Sequence, residues 1–239
     1  MKKIIAGLLL CGPLLLRAQS QQLAIKLQRL PIDSLELYIR QHPDSDDAFK
    51  ALKGRYAAQN HSTTDAAPER VDRMYAALSP RIRGSREGKE YAALLKKLDS
   101  LLPGATLPDF SAPDMDGKMV KLSGLRGKYV LVDFWASWCI PCRKEFPHLK
   151  KAYAKYKDKN FEIVGYSIDN DKSLWVSAVE NDDVPWIQLS LLQGVNDPVA
   201  ALYEVHGVPE NWLLDPSGKI IAVNLRGGEV EKKLEELIK

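Results

Sequence analysis

The clearest chemical signal in this 239-residue chain is a pair of cysteines two residues apart, Cys139 and Cys142 in the run Trp138-Cys139-Ile140-Pro141-Cys142. The run sits between an apolar stretch that reads as a buried strand, Lys128–Ala136, and an amphipathic one that reads as a helix, Ile140–Tyr156. A helix N-terminus offers unpaired N–H groups and the positive end of the backbone dipole, and both stabilise an anion. Cys139 is therefore expected as a thiolate with a pKa below the free value of about 8.5. The thiolate is the nucleophile of disulfide exchange. Cys142 falls one turn further on the same face, where it can attack a mixed disulfide formed at Cys139 and release the product. Pro141 suits a first helical turn because it has no N–H to leave unsatisfied. Two other uses of this spacing are weaker. Zinc needs two further ligands, and His42, His61, His148 and His206 include no His-x-His pair. A purely structural bridge over so short a loop would constrain the unfolded chain little.

The elements that must hold this pair alternate strand and helix after Pro103-Gly104, which marks a boundary. Phe161–Ile168 is a second buried strand, Asp171–Glu180 a helix, Trp186–Leu189 a short strand and Pro198–Val205 a helix. Asn211–Asp215 and Lys219–Asn224 are strands joined by the tight turn Asp215-Pro216-Ser217-Gly218, and Glu229–Ile238 is a final helix. That order predicts an α/β domain, a mixed sheet with helices on both faces. Residues 21 to about 103 read as helical throughout: one helix closes at His42-Pro43, others run from Asp46 to Ala58 and from Pro68 to Leu78, and one spans Ser85–Leu102. Asn60–Ala67 reads as a polar linker. This part shows no chemical constellation, so a small α-helical domain is expected ahead of the catalytic one.

The N-terminus has the form of an export signal: Lys2 and Lys3, an apolar run from Ile4 to Leu16, then Arg17-Ala18-Gln19-Ser20. The expected organisation is a cleaved signal at 1–18, a helical domain at 19–103 and the α/β domain at 104–239. The apolar run is shorter than the roughly 20 residues that span a bilayer, so no stable membrane insertion is expected after cleavage. Lipidation at Cys11 would need a small residue before it, and Leu10 stands there. The leader's Lys2, Lys3 and Arg17 account for the whole formal charge of +3, so the mature chain has no basic excess. No basic cluster interleaved with aromatics appears, which argues against a nucleic-acid partner. Cleavage also removes Cys11 and leaves only the Cys139/Cys142 pair, too few for a disulfide-stapled scaffold. Apolar residues make up 45% and charged residues 27%, as in globular proteins.

Val132–Pro147 (VDFWASWCIPCRKEFP) resembles the active-site segment of thioredoxins, and more closely that of the secreted TlpA/ResA-like thiol–disulfide oxidoreductases. The resemblance covers about Ala105 to Lys239. Pro108–Lys128 (PDFSAPDMDGKMVKLSGLRGK) resembles the entry hairpin that this family shares with the AhpC/TSA-type peroxiredoxins. The resemblance implies a thioredoxin-like fold, with Cys139 as the attacking cysteine and Cys142 as the resolving one. It also implies that Asp133 is a buried acid able to exchange a proton with Cys142. Val208-Pro209 matches the cis-proline loop, whose backbone would pair with an extended substrate segment. Trp138, Ile140, Pro141, Val208 and Pro209 are then the expected substrate contacts. Pro147 matches a helix-kinking proline, while Trp135, Trp175, Trp186 and Trp212 are expected as packing and His148 as solvated. Thioredoxins often place a lysine beside the buried acid from the next strand. Gly165 holds that position here, and no charge partner for Asp133 is evident. Glu210 would either bias substrate choice or be solvated.

The family further implies protein thiol and disulfide substrates, no metal and no organic cofactor, a periplasmic location, and service as a reductant recharged by a membrane electron donor. Three other readings stay open. One is a peroxiredoxin-type peroxide reductase, although a tryptophan precedes the pair. Another is a copper-carrying binding protein of the same fold, for which His206 is the tempting third ligand. The last is a binding module that uses the proline groove without turnover.

Overall fold

The computed structural model describes residues 22–57 and 68–238. The expected signal segment with Cys11, His61 and the stretch 60–67 lie outside them. The described residues form two compact units, one ending at Lys96 and the other beginning at Lys97.

The first unit is helical: α1 (residues 22–28), α2 (Ile32–Gln41), α3 (Asp46–Ala57), α4 (Pro68–Ala76), α5 (Pro80–Gly84) and α6 (Arg86–Asp99), the last carrying the chain into the second unit. Helix α2 stops one residue before His42-Pro43, because the residue ahead of a proline is driven out of the helical region. The short α5 is an addition to the helices read from the sequence. Ser79 caps it, its hydroxyl accepting the Ile82 N–H at 3.3 Å, and Pro80 occupies a first-turn position. Leu35, Ile39, Phe49, Leu52, Met74 and Tyr91 meet in its core, each buried apolar side chain contributing about 2 kcal/mol.

The second unit begins with a two-stranded antiparallel hairpin, β1 (Ser111–Pro113) and β2 (Met119–Lys121). There follow β3 (Tyr129–Trp135), α7 (Ile140–Tyr156), β4 (Phe161–Ser167), α8 (Lys172–Asn181), β5 (Ile187–Leu189), α9 (Pro198–Leu202), β6 (Glu210–Leu214), β7 (Ile220–Val223) and α10 (Glu229–Leu237). Strands β3 to β7 make one mixed sheet in the order β5-β4-β3-β6-β7, with β3 parallel to β4 and antiparallel to β6. The central strand is thus the one that leads into the cysteines. Side chains alternate across a strand, so Leu131, Asp133 and Trp135 share one face and Val132 and Phe134 the other. On the first face Trp135 meets Phe146 of α7 edge-on, and Trp175 of α8 and Leu234 of α10 join the same cluster. On the second, Phe134 packs against Tyr166, Tyr203 at the end of α9, and Trp212. Both faces are covered, which is why β3 is apolar at nearly every position instead of alternating. The architecture is the thioredoxin-like α/β fold expected, with helices on both faces.

Candidate active site

Strand β3 ends at Trp135, and the chain turns through Ala136–Trp138 into α7. Cys139 is the residue that caps this helix, and its sulfur accepts the Cys142 N–H at 3.2 Å. The two cysteines are disulfide-bonded. Both are buried, whereas Trp138 and Ile140 beside them stand out at 62% and 68% exposure. Pro141 lies in the first helical turn, where it displaces no hydrogen bond. Pro147 lies inside α7 and His148 on its exposed side.

The turn ahead of Cys139 is held by a residue with no obvious sequence signal. Asp169, just past β4 and buried, accepts the Ser137 N–H at 2.9 Å, the Ser137 hydroxyl at 2.7 Å and the Ser167 hydroxyl at 2.6 Å. Arg143 of α7 donates to the Ser137 carbonyl of the turn at 3.5 Å and to both carboxylate oxygens of Asp182 after α8 at 2.6 and 3.0 Å.

Opposite the cysteines, the Val208–Pro209 peptide is cis. The Val208 carbonyl oxygen lies 3.6 Å from the Cys139 sulfur. A residue pair distant in sequence thus frames the exchangeable sulfur with open backbone. A cavity of about 640 Å³ adjoins this point, lined by Trp138, Ile168, Asn170, Val195, His206 and Gly207.

Asp133 is buried on the α7 side of β3, and burial pushes its carboxyl up to about 7. Arg226 opposes that rise most strongly, Asn211 adds a hydrogen bond that also lowers it, and Glu145 of α7 raises it. The expectation that Asp133 lacks a charge partner is therefore corrected. The partner comes not from β4 but from the loop after β7. At the β4 position, Gly165 has no room for a side chain: a Cβ there would meet the Gln188 amide at 2.5 Å. Gln188 uses that space to accept the Trp135 indole N–H at 3.0 Å.

Glu210 also departs from expectation. It is buried rather than solvated, because it opens β6 across from Phe134 in the sheet interior. Burial raises its carboxyl to about 8, against the pull of Arg226 and a hydrogen bond with Asn224. His206, the tempting third metal ligand, is exposed, with Nε2 3.3 Å from Glu204. Among the described residues no group of three or more His, Cys, Asp or Glu side chains is placed to hold a metal ion.

The model of the AhpC/TSA family matches residues 103–223. The thiol–disulfide oxidoreductase ResA of Bacillus cereus is 30% identical over 149 residues, covering 62% of this chain and 84% of that protein. The Bacillus subtilis ResA is 32% identical over 134 residues, covering 56% and 73%. Among solved structures, the thioredoxin domain of a thiol–disulfide oxidoreductase from Bacteroides vulgatus superposes with a TM-score of 0.55 at 39% identity, covering 58% of this chain and 99% of that one. Matched to the family model over half its length and to exchange enzymes in both sequence and structure, the chain belongs to the AhpC/TSA family and is a thioredoxin-like thiol–disulfide oxidoreductase.

Proposed function

We propose that this enzyme reduces disulfides of protein substrates in an exported, periplasm-type compartment. The observation that carries the reading is the position of Cys139: its sulfur caps α7 and lies 3.6 Å from the cis-proline loop carbonyl. In the dithiol form, the Cys139 thiolate attacks one sulfur of the substrate disulfide. The substrate S–S bond breaks, a mixed disulfide forms, and the first substrate thiolate leaves and takes a proton from solvent. The Cys142 thiol then gives its proton to the Asp133 carboxylate and attacks the Cys139 sulfur. The mixed disulfide breaks, and the second substrate sulfur departs as a thiolate that takes up a proton as Asp133 gives its own back. Two electrons pass to the substrate, and the enzyme is left with the Cys139–Cys142 bond. Trp138, Ile140 and Pro141 form one wall of the substrate platform. Val208 and Pro209 form the other and offer backbone to an extended chain.

Export rests on the leader pattern at 1–18, and no helix of the described residues is long and apolar enough to cross a membrane. A reductant in an oxidising compartment needs its thiols restored, so a membrane electron donor is the natural partner. The helical segment from residue 19 to the Pro103-Gly104 boundary serves as an accessory packing domain.

Equilibration of the mature protein with glutathione or dithiothreitol buffers, followed by tryptophan fluorescence, tests the direction of flow. A two-electron transition well below the glutathione potential is the result expected. One well above it would make the enzyme an oxidant or isomerase, and no reversible transition would sink the exchange reading. In the same protein, Cys142→Ser should accumulate a stable mixed disulfide with a reducible client on non-reducing gels. Cys139→Ser should accumulate none.

A further inference from the structure

Arg226 ties together parts of the site that lie far apart in the chain. Its guanidinium donates to the Pro209 carbonyl at 2.6 Å, to its neighbour Leu225's carbonyl at 2.9 Å and to the Asn224 side-chain oxygen at 3.4 Å. Its own N–H is fixed by the Glu229 carboxylate at the start of α10, at 2.7 Å. The next residue, Gly227, donates its N–H at 2.6 Å to Glu145, three residues after Cys142 on α7. Two buried carboxyls feel this side chain, Asp133 on the α7 face of the sheet and Glu210 on the Phe134 face, and for both Arg226 is the leading charge that favours ionisation.

We propose that Arg226 is a positioning residue for exchange: its guanidinium holds the cis-proline loop through the Pro209 carbonyl and, as the one cation shared by Asp133 and Glu210, keeps Asp133 available as a proton acceptor for Cys142. The two tasks need different properties of the side chain. Holding the loop needs the planar fork of donors, while poising the acid needs only a positive charge. The coupling has a purpose. A substrate strand that displaces the loop also moves the cation that governs the acid behind the cysteines. The charged and polar groups acting on Asp133 are Glu145 from α7, Asn211 from β6 and Arg226 from the loop after β7, while β4 presents Gly165 and no charge. Arg226 is the sole cation in that set.

The proposal rests on the exchange mechanism above with Asp133 as proton acceptor, and its test separates the two. The measurement is single-turnover release of a fluorescent peptide thiol from its mixed disulfide with Cys139, across pH 5–9, beside reaction of the reduced enzyme with a small aromatic disulfide that has no backbone to pair. Wild type should show a release rate that rises through pH 7. Arg226→Gln should shift that midpoint upward by about one unit, slowing release about fivefold at pH 7. Arg226→Lys should leave the midpoint in place and, in reaction of the reduced enzyme with the peptide disulfide, raise the half-saturating peptide concentration about fivefold, with the small disulfide unaffected. Equal slowing by Arg226→Gln at every pH, with the midpoint unmoved, would overturn the role of Arg226, as would identical behaviour of the Gln and Lys variants. Asp133→Asn serves as the control. A flattened profile in Asp133→Asn with an unshifted one in Arg226→Gln defeats the proposal alone. An unchanged profile in Asp133→Asn defeats the reading of Asp133 and the coupling with it, and failure to form any mixed disulfide defeats the exchange reading.

Discussion

Asp133 shows how a single residue can be stabilising in one role and costly in another. An aspartate in an unfolded chain titrates near 3.9, and burial raises this one to about 7. Its folded-state preference for the neutral form is therefore fully present below about pH 4 and lost as pH rises through 7. Across that window the unfolded chain sheds its proton while the folded one keeps it, so the fold loses up to about 4 kcal/mol. Asp133→Asn removes this term. The stability of the variant relative to wild type should rise by a few kcal/mol between pH 4 and pH 8, measured by urea unfolding of the disulfide form. A difference that stays flat with pH would show that the carboxyl is not buried as the structure has it. The same residue illustrates what could be read in advance. Its flanks, Val132 and Phe134, marked it as buried, but Arg226 lies 93 positions away in a turn with no distinguishing pattern.

At the scale of elements, the β3-to-α7 handover decides where Cys139 points. The sequence showed both elements, since an apolar β-branched run and an amphipathic run with a proline near its start are local signals. The brace beneath them is not local. Asp169 takes two hydrogen bonds from Ser137 and one from Ser167 while nearly out of contact with solvent. Asp169→Ala leaves the buried Ser167 hydroxyl and the partly buried Ser137 donors without their acceptor, and should lower stability by about 2–4 kcal/mol, against about 1 kcal/mol for Ser137→Ala. Chemical denaturation of the two variants checks the ratio. Equal small losses would mean that water replaces the carboxylate and that the turn is held by helix capping alone. Glu210 belongs to the same lesson. Its burial follows from being the first residue of β6 opposite Phe134, a register that exists only once β3 and β6 pair.

At the scale of the whole molecule, the second compact unit starts at Lys97, ahead of the Pro103-Gly104 boundary that composition alone indicates. Leu101 is almost fully buried, and its carbonyl accepts the Trp212 indole N–H of β6 at 3.0 Å. Lys97 donates to the Ala201 carbonyl in the last turn of α9 at 2.7 Å. A fragment from Lys97 to Lys239 should unfold cooperatively. One from Ala105 to Lys239 should be less stable by about 3 kcal/mol, having lost one buried leucine and the acceptor of a buried indole. Comparing the two by thermal and urea unfolding tests the boundary, and equal stabilities would return it to Pro103-Gly104.

The amino-acid sequence by itself marked out the cysteine pair and the strand and helix that carry it, through contiguous patterns of polarity, spacing and backbone restriction. The proline loop and the family were legible through resemblance of contiguous motifs. Tertiary structure alone decided the electrostatics around the pair. It set Arg226 against Asp133 and Glu210, filled the space over Gly165 with Gln188, and put Asp169 beneath Ser137. The physical reason is range: periodicity and turn chemistry act over a few residues. Desolvation and charge act over a few ångströms between groups that only the folded sheet brings together.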